Sequence, residues 1–160
     1  MWVSYYPLNA RKTRKFSPMT KILYKDESYR IIGACFEVYK QKGCGFTEPV
    51  YQECLGLEMG IQNIPFVAQP ELQLEYKGTL LTHYFKPDFI CFGKIIIEIK
   101  ALSKLADVHR SQALNYLNAT EFNLVLLVNF GHHPLLEYER IAQSNSKPIS
   151  EEIRSWIDNN

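Results

Sequence analysis

The stretch that decides the fold of this chain is KPDFICFGKIIIEIKA, residues 86–101. It predicts two apolar strands joined by a tight turn at residues 93–94. The second strand is β-branched throughout its centre except at Glu98. Because strand side chains alternate between the two faces of a sheet, Glu98 and Lys100 share one face. A carboxylate in so apolar a strand is costly to bury unless it is paired or binds a metal ion.

Asp88 on the first of these strands can join Glu98. If residues 92–94 form a three-residue turn, Asp88 lies opposite Glu98 across the hairpin, with Lys100 beside them. Carboxylate oxygens of this kind suit Mg²⁺, which characteristically takes one or two carboxylates together with water and substrate phosphate. A lysine there supplies a point positive charge beside developing negative charge. The alternative is a half-exposed amphipathic hairpin in which Glu98 and Lys100 simply face solvent.

Composition predicts an ordinary globular protein. The chain has 160 residues, of which 46% are hydrophobic and 22% charged, enough for one domain with a proper core. No apolar run reaches transmembrane length, and the first residues lack the basic-then-apolar order of a signal peptide. The four cysteines form no C-x-x-C pair, so we expect reduced thiols in a cytoplasmic protein without a zinc or iron–sulfur site.

The charge is unevenly distributed along the chain. Residues 1–18 contain four basic residues and no acid, so the remainder carries a net charge of −3. We expect residues 1–20 to be a disordered basic leader, although a basic arm that contacts nucleic-acid backbone is the alternative. Residues 21–160 are expected to form a single domain. By charge alone this domain is not a basic nucleic-acid binder.

Hydrophobic periodicity predicts the element order ααββββαββα, which indicates an α/β or α+β sheet with helices packed on it. The apolar stripe of the second helix is expected at Val50, Cys54, Leu57 and Ile61. The third helix is expected to turn Val108, Ala113, Leu114 and Leu117 toward the core. The expected helices are 26–41, 47–62, 107–118 and 150–156, and the expected strands outside the opening hairpin are 66–76, 80–85, 122–130 and 135–141.

Several short motifs in this order resemble one known family. Gly45, Glu48 and Tyr51 form a complete G-x-x-E-x-x-Y pattern, and residues 108–117 read VHRSQALNYL. With Asp88, Glu98-Ile-Lys100 and Asn129-Phe-Gly, they make the chain similar to the small GxxExxY proteins of the PD-(D/E)xK nuclease superfamily. The resemblance runs from about residue 29 to residue 141. It implies a restriction-endonuclease-like core, with a mixed central sheet flanked by helices, and a metal-dependent nuclease.

The resemblance also implies a site. Asp88 and Glu98 would bind the metal ion, Lys100 would assist the attacking water, and Glu48 on the preceding helix would complete the ligand set. Mg²⁺ is the expected cofactor, and Mn²⁺ accepts similar oxygen ligands. Glu48 has an alternative role, because a carboxylate at a helix start interacts favourably with the helix dipole.

The third helix carries the Q-x-x-x-Y pattern of helicase-associated nucleases. By resemblance, Gln112 and Tyr116 would face the metal and the DNA backbone, and His109 would contact substrate. The alternatives are a polar helix face with an interfacial tyrosine, and a structural histidine.

Two functions are compatible with these residues and motifs. The first is a Mg²⁺-dependent nuclease that hydrolyses phosphodiester bonds, with DNA as the expected substrate. The second is a catalytically weak or inactive nuclease-fold module that binds nucleic acid or a protein partner. No membrane association is expected, and the oligomeric state stays open, a homodimer included.

Overall fold

The computed structural model of the protein describes residues 21–143. The expected leader at residues 1–20 and the expected helix at residues 150–156 lie outside this range. Within it, no helix combines the length and apolarity that crossing a membrane requires. The elements in chain order are α1 (Lys25–Lys42), α2 (Glu48–Ile61), β1 (Phe66–Ala68), β2 (Leu72–Tyr76), β3 (Thr79–Phe85), β4 (Phe89–Cys91), β5 (Ile95–Lys100), α3 (Asp107–Ala119), β6 (Leu124–Asn129) and β7 (Glu137–Ala142).

The central sheet has five strands in the order β1-β4-β5-β6-β7. The β5–β6 pair is parallel, and the other neighbours are antiparallel, so the sheet is mixed as the sequence predicts. A parallel pair needs a long crossover connection, and α3 supplies it. The hairpin of β4 and β5 places Ile90 opposite Ile96, the register that a turn at residues 92–94 requires. The expected α+β architecture is confirmed.

The strand expected at residues 66–76 is in fact two strands in different sheets. β1 pairs with β4 in the central sheet, whereas β2 pairs with β3 in a separate two-stranded hairpin. The break falls at Gln69, whose φ is 47°, and at Pro70. Proline has no N–H to donate to a ladder, and it ends the first strand here. Five strands rather than four therefore precede α3.

The two faces of the central sheet pack against different helices. Ile95, Ile97 and Ile99 belong to the large core cluster shared with α1 and α2. Ile96 belongs to a smaller cluster that contains Ala113 of α3. Since side chains alternate along β5, Glu98 and Lys100 lie on the α3 face of the sheet.

The predicted buried face of α2 is wrong, because the observed buried face is rotated from it by part of a helical turn. Leu57 and Ile61 are 66% and 74% exposed, whereas Tyr51, Leu55 and Met59 are fully buried. The pattern of aliphatic residues alone does not reveal the buried face, because the helix buries a tyrosine and leaves Leu57 and Ile61 at the surface. In α3, Ala113 and Leu117 are buried as expected, but Val108 and Leu114 are exposed.

We predict opposite effects from two glycine substitutions. A Cβ at Gly131 would clash with the backbone nitrogen of Leu102, so Gly131→Ala should lower the free energy of unfolding by roughly 1–3 kcal/mol or more. At Gly33, inside α1, such a Cβ would meet no atom of residues 21–143 within 4 Å, and Gly33→Ala should raise the free energy of unfolding by about 0.5–1 kcal/mol. Urea denaturation of both variants measures the difference. A Gly131→Ala variant as stable as the parent would contradict the close contact.

Candidate active site

Two carboxylates meet where β4 and β5 run side by side. Asp88 immediately precedes β4, and its Oδ2 accepts the backbone N–H of Ile99 at 2.7 Å. Glu98 is 7% exposed, and its Oε1 accepts a hydrogen bond from the Lys100 ammonium at 2.9 Å. Its other oxygen, Oε2, is buried and has no hydrogen-bond partner within residues 21–143. A buried acceptor without a partner is costly, so this oxygen is suited to receive a further ligand.

The electrostatics of the pair favour an added cation. Burial raises the pKa of Glu98 to about 7, although the charge of Lys100 and its hydrogen bond work against the increase. Burial also raises the pKa of Asp88, opposed by the Ile99 hydrogen bond and by Lys100. The charge of Glu48 raises the pKa of both carboxyls further, and the charge of Asp88 raises that of Glu98. The positive charge of Lys100 therefore does not fully compensate the negative charge of these carboxylates.

Glu48 is the first residue of α2 and lies within electrostatic reach of both carboxyls, since its charge raises the pKa of each. The start of α2 is held by Tyr51. Its hydroxyl donates to the Gly43 carbonyl at 2.7 Å and accepts the Phe46 N–H at 3.2 Å. Its ring stacks on Phe130 with the ring centroids 4.7 Å apart. Thr47 occupies the N-cap position without a side-chain capping bond, so the tyrosine does the anchoring.

Gln112 and Tyr116 lie on α3, the helix that packs on the same sheet face as Glu98. Gln112 Nε2 donates to the Tyr116 hydroxyl at 2.6 Å. The Tyr116 ring stacks on Phe85, with centroids 4.4 Å apart and the planes 14° from parallel. Burial, together with the charges of Glu98 and Asp88, raises the pKa of Tyr116 to about 12. The phenol thus stays protonated near neutral pH and can donate its hydrogen.

His109 has a local structural contact. Its Nδ1 accepts the backbone N–H of Ala106 at 3.0 Å, which places the ring as a cap on the first turn of α3. This bond commits one ring nitrogen to the helix start and leaves Nε2 outside it.

Asn129 and Glu137 are two residues of this region for which the sequence patterns predict no role. The Asn129 side chain is fully buried, accepts the Leu102 N–H at 2.9 Å and donates to Glu137 at 2.9 Å. Glu137 in turn accepts the Leu105 N–H at 3.0 Å. Together they fix the loop that follows Lys100. The sequence feature that could have indicated this role is Asn129 itself, a polar residue at the end of an otherwise apolar strand.

The donor set fits a hard cation with few protein ligands. Over residues 21–143 there is no group of three or more His, Cys, Asp and Glu side chains arranged to hold a metal ion. Mg²⁺ requires only one or two protein carboxylates, because water and phosphate fill its other positions. The Glu98 oxygen beside Asp88 that lacks a partner among the described residues is consistent with such a site.

Comparison with known proteins agrees with the fold and the order of these elements. The chain matches the model of the PD-(D/E)XK nuclease superfamily over residues 25–141. It belongs to that superfamily, whose restriction-endonuclease-like fold is the architecture described above.

Two further comparisons add little. The crystal structure of SSO0001 is similar with a TM-score of 0.48 and 18% sequence identity, and the match covers 71% of this chain and 56% of that one. At this TM-score the likeness adds nothing to the assignment. The search of curated proteins found no match.

We predict that the raised pKa of Glu98 makes the metal-free protein less stable as pH rises from about 4.5 to 7. The unfolded carboxyl loses its proton more easily than the folded one, so unfolding is favoured across this window. Glu98→Gln should match the parent at pH 4 and exceed its stability at pH 8 by on the order of 2–3 kcal/mol.

Chemical denaturation in EDTA across this pH range measures the effect. Glu53→Gln, at an exposed position of α2, is the control. Parallel pH profiles for Glu98→Gln and the parent protein would contradict the raised pKa.

Proposed function

We propose that this protein is a metal-dependent nuclease that hydrolyses phosphodiester bonds, with DNA as substrate and Mg²⁺ as cofactor. The observation that carries the proposal is the buried Oε2 of Glu98, beside Asp88 and Lys100, which has no hydrogen-bond partner in the part of the chain that the structure describes. Membership of a nuclease superfamily supports the same reaction class.

In this proposal Asp88 and Glu98 hold the ion, and Glu48 joins them directly or through water. Mg²⁺ supplies charge stabilisation at the phosphodiester and activation of water, and Mn²⁺ can replace it. Glu98 serves best as a ligand when ionised. Its raised pKa therefore makes ion binding compete with protonation near neutral pH.

Lys100 acts by charge. Its ammonium already lies 2.9 Å from Glu98, so it is positioned on the carboxylate face where a phosphodiester would be attacked. There it stabilises negative charge as that charge develops. Since Tyr116 accepts from Gln112, its own hydrogen is free to donate to a phosphate oxygen. His109 would contact substrate through Nε2.

We also place the protein among the GxxExxY group of the superfamily. The support is the role of the motif residues: Gly45 and Tyr51 shape the loop that starts α2, and Glu48 follows that loop directly. The proposed location is the cytoplasm, supported by four cysteines that are all free thiols.

One observation favours a second function. Outside the first 18 residues the chain carries a net charge of −3, which does not favour tight binding of a polyanion. A nuclease-fold module that binds nucleic acid or a protein partner, and cuts slowly or not at all, is the alternative. Cleavage assays on single- and double-stranded DNA and RNA, with and without Mg²⁺, separate the two.

We predict different defects for two site variants. Lys100→Ala should lower cleavage by roughly 10²–10³-fold at every Mg²⁺ concentration, because an ammonium is not a ligand. Asp88→Asn should weaken ion binding, so its defect should shrink as Mg²⁺ is raised. Initial cleavage rates over a Mg²⁺ titration distinguish them.

Lys94→Ala is the matched control, since Lys94 lies in the turn of the same hairpin and pairs with Glu27. It should cleave like the parent. Equal cleavage by Lys100→Ala and parent would assign the activity to another site or to a contaminant. Absence of metal-dependent cleavage by the parent on all four substrates would favour the binding module.

A further inference from the structure

Two glutamines adjoin the carboxylates on the α2 side. Gln69 Nε2 donates to Gln52 Oε1 at 3.3 Å. Gln52 follows Glu48 by one helical turn, so these two side chains share a face of α2. The backbone N–H of Gln69 donates to the carbonyl oxygen of Asp88 at 2.9 Å. The pair is thus attached to the two segments that carry proposed metal ligands, α2 with Glu48 and the residues before β4 with Asp88.

The backbone of Gln69 adopts a conformation that glycine would take at lower cost. Its φ is 47°, in the left-handed region, which is unfavourable for a residue with a Cβ. The Gln69 side chain is exposed, so core packing does not explain the left-handed conformation of its backbone. The other non-glycine residues with positive φ adjoin helix ends or hairpin turns; they are Tyr24, Asn63, Lys77 and Phe92. Gln69 follows the end of β1, and its N–H donates to the carbonyl of Asp88.

The pair has three amide N–H groups to offer a ligand. One N–H of Gln69 is used on Gln52, and within residues 21–143 its second N–H and both amide N–H groups of Gln52 remain available. These donors carry no charge, and they lie at an edge that already holds the carboxylates of Glu48 and Asp88. Glutamine amides commonly donate to phosphate and sugar oxygens in nucleic-acid complexes.

We propose that Gln52 and Gln69 form a binding site for the sugar–phosphate backbone of the substrate, next to the phosphodiester at Asp88 and Glu98. This inference rests on the proposed nuclease function. The pair contacts sugar–phosphate groups of the substrate next to the phosphodiester that reacts. It therefore contributes to substrate affinity and register, whereas the carboxylates and Lys100 carry out the reaction.

The test is binding of fluorescein-labelled DNA and RNA oligonucleotides, followed by anisotropy with Ca²⁺ in place of Mg²⁺. Gln52→Ala and Gln69→Ala should each weaken binding about 3- to 10-fold, and equally for oligonucleotides of unrelated sequence. In Mg²⁺ the KM of cleavage should rise by the same factor with kcat unchanged. Mn²⁺ affinity, measured by calorimetry, should also be unchanged, because neither amide is a ligand.

Gln69→Gly separates the side chain from the backbone. It relieves the left-handed strain, so thermal stability should not fall, yet oligonucleotide binding should weaken as much as in Gln69→Ala. Gln73→Ala is the matched control, since this exposed glutamine bonds the Leu81 carbonyl in the β2–β3 hairpin. It should bind and cleave like the parent.

Several outcomes would overturn the inference. Parent-like affinity of the Gln52→Ala and Gln69→Ala variants, with the parent cleaving normally, removes this site and leaves the nuclease function standing. Parent-like affinity of Gln69→Gly assigns Gln69 a backbone role alone. Weakening confined to particular sequences assigns the pair to bases instead. A parent that neither binds nor cleaves any oligonucleotide removes the nuclease function and this site with it.

Discussion

The burial of one carboxylate in the central strand constrains the whole site. Glu98 lies in β5, which has β4 on one side and β6 on the other, so water cannot solvate it from the sheet edges. Lys100 offsets part of the cost, but Oε2 keeps no partner among the described residues. The resulting pKa of about 7 shows that the charged form is disfavoured. The buried carboxylate thus lowers the stability of the folded state, and a bound cation would offset this cost. Destabilising groups of this kind are typical of functional sites.

The side chains around Glu98 are held by packing on both faces of the sheet. On one face the isoleucines of β5 lock the strand against α1 and α2, and the Tyr51 hydroxyl fixes the loop from which Glu48 emerges. Beyond the end of β5, Asn129 and the close approach of Gly131 hold the following loop in one conformation. Each proposed functional residue therefore lies on a rigid element or next to one, which limits how far the carboxylates and the lysine can drift apart.

The sequence predicted the features that depend on local periodicity. Alternation in the opening stretch predicted the correct faces of β5 and the correct register opposite β4, because an extended chain leaves no other arrangement once the turn length is set. It did not predict which face α2 buries, since the burial of Tyr51 in place of the aliphatic Leu57 depends on tertiary contacts, its stack on Phe130 and its hydroxyl hydrogen bonds. The contact of Asn129 with Glu137 and the burial of Glu98 likewise depend on tertiary packing. Local pattern left Glu98 equally compatible with a solvent-facing position.

The charge distribution explains why uncharged donors belong at the edge of this site. Under the proposed function, a polyanionic substrate approaching Glu48, Asp88 and Glu98 would meet negative charge, and each additional lysine there would compete with a metal ion for the same carboxylate oxygens. Lys100 already does so, since it occupies Glu98 Oε1. Amide and phenol hydrogens, such as those of Gln52, Gln69 and Tyr116, can bind phosphate oxygens without forming ion pairs with the carboxylates. Under the proposed function, they would contact the substrate while the carboxylate oxygens remain available to a cation.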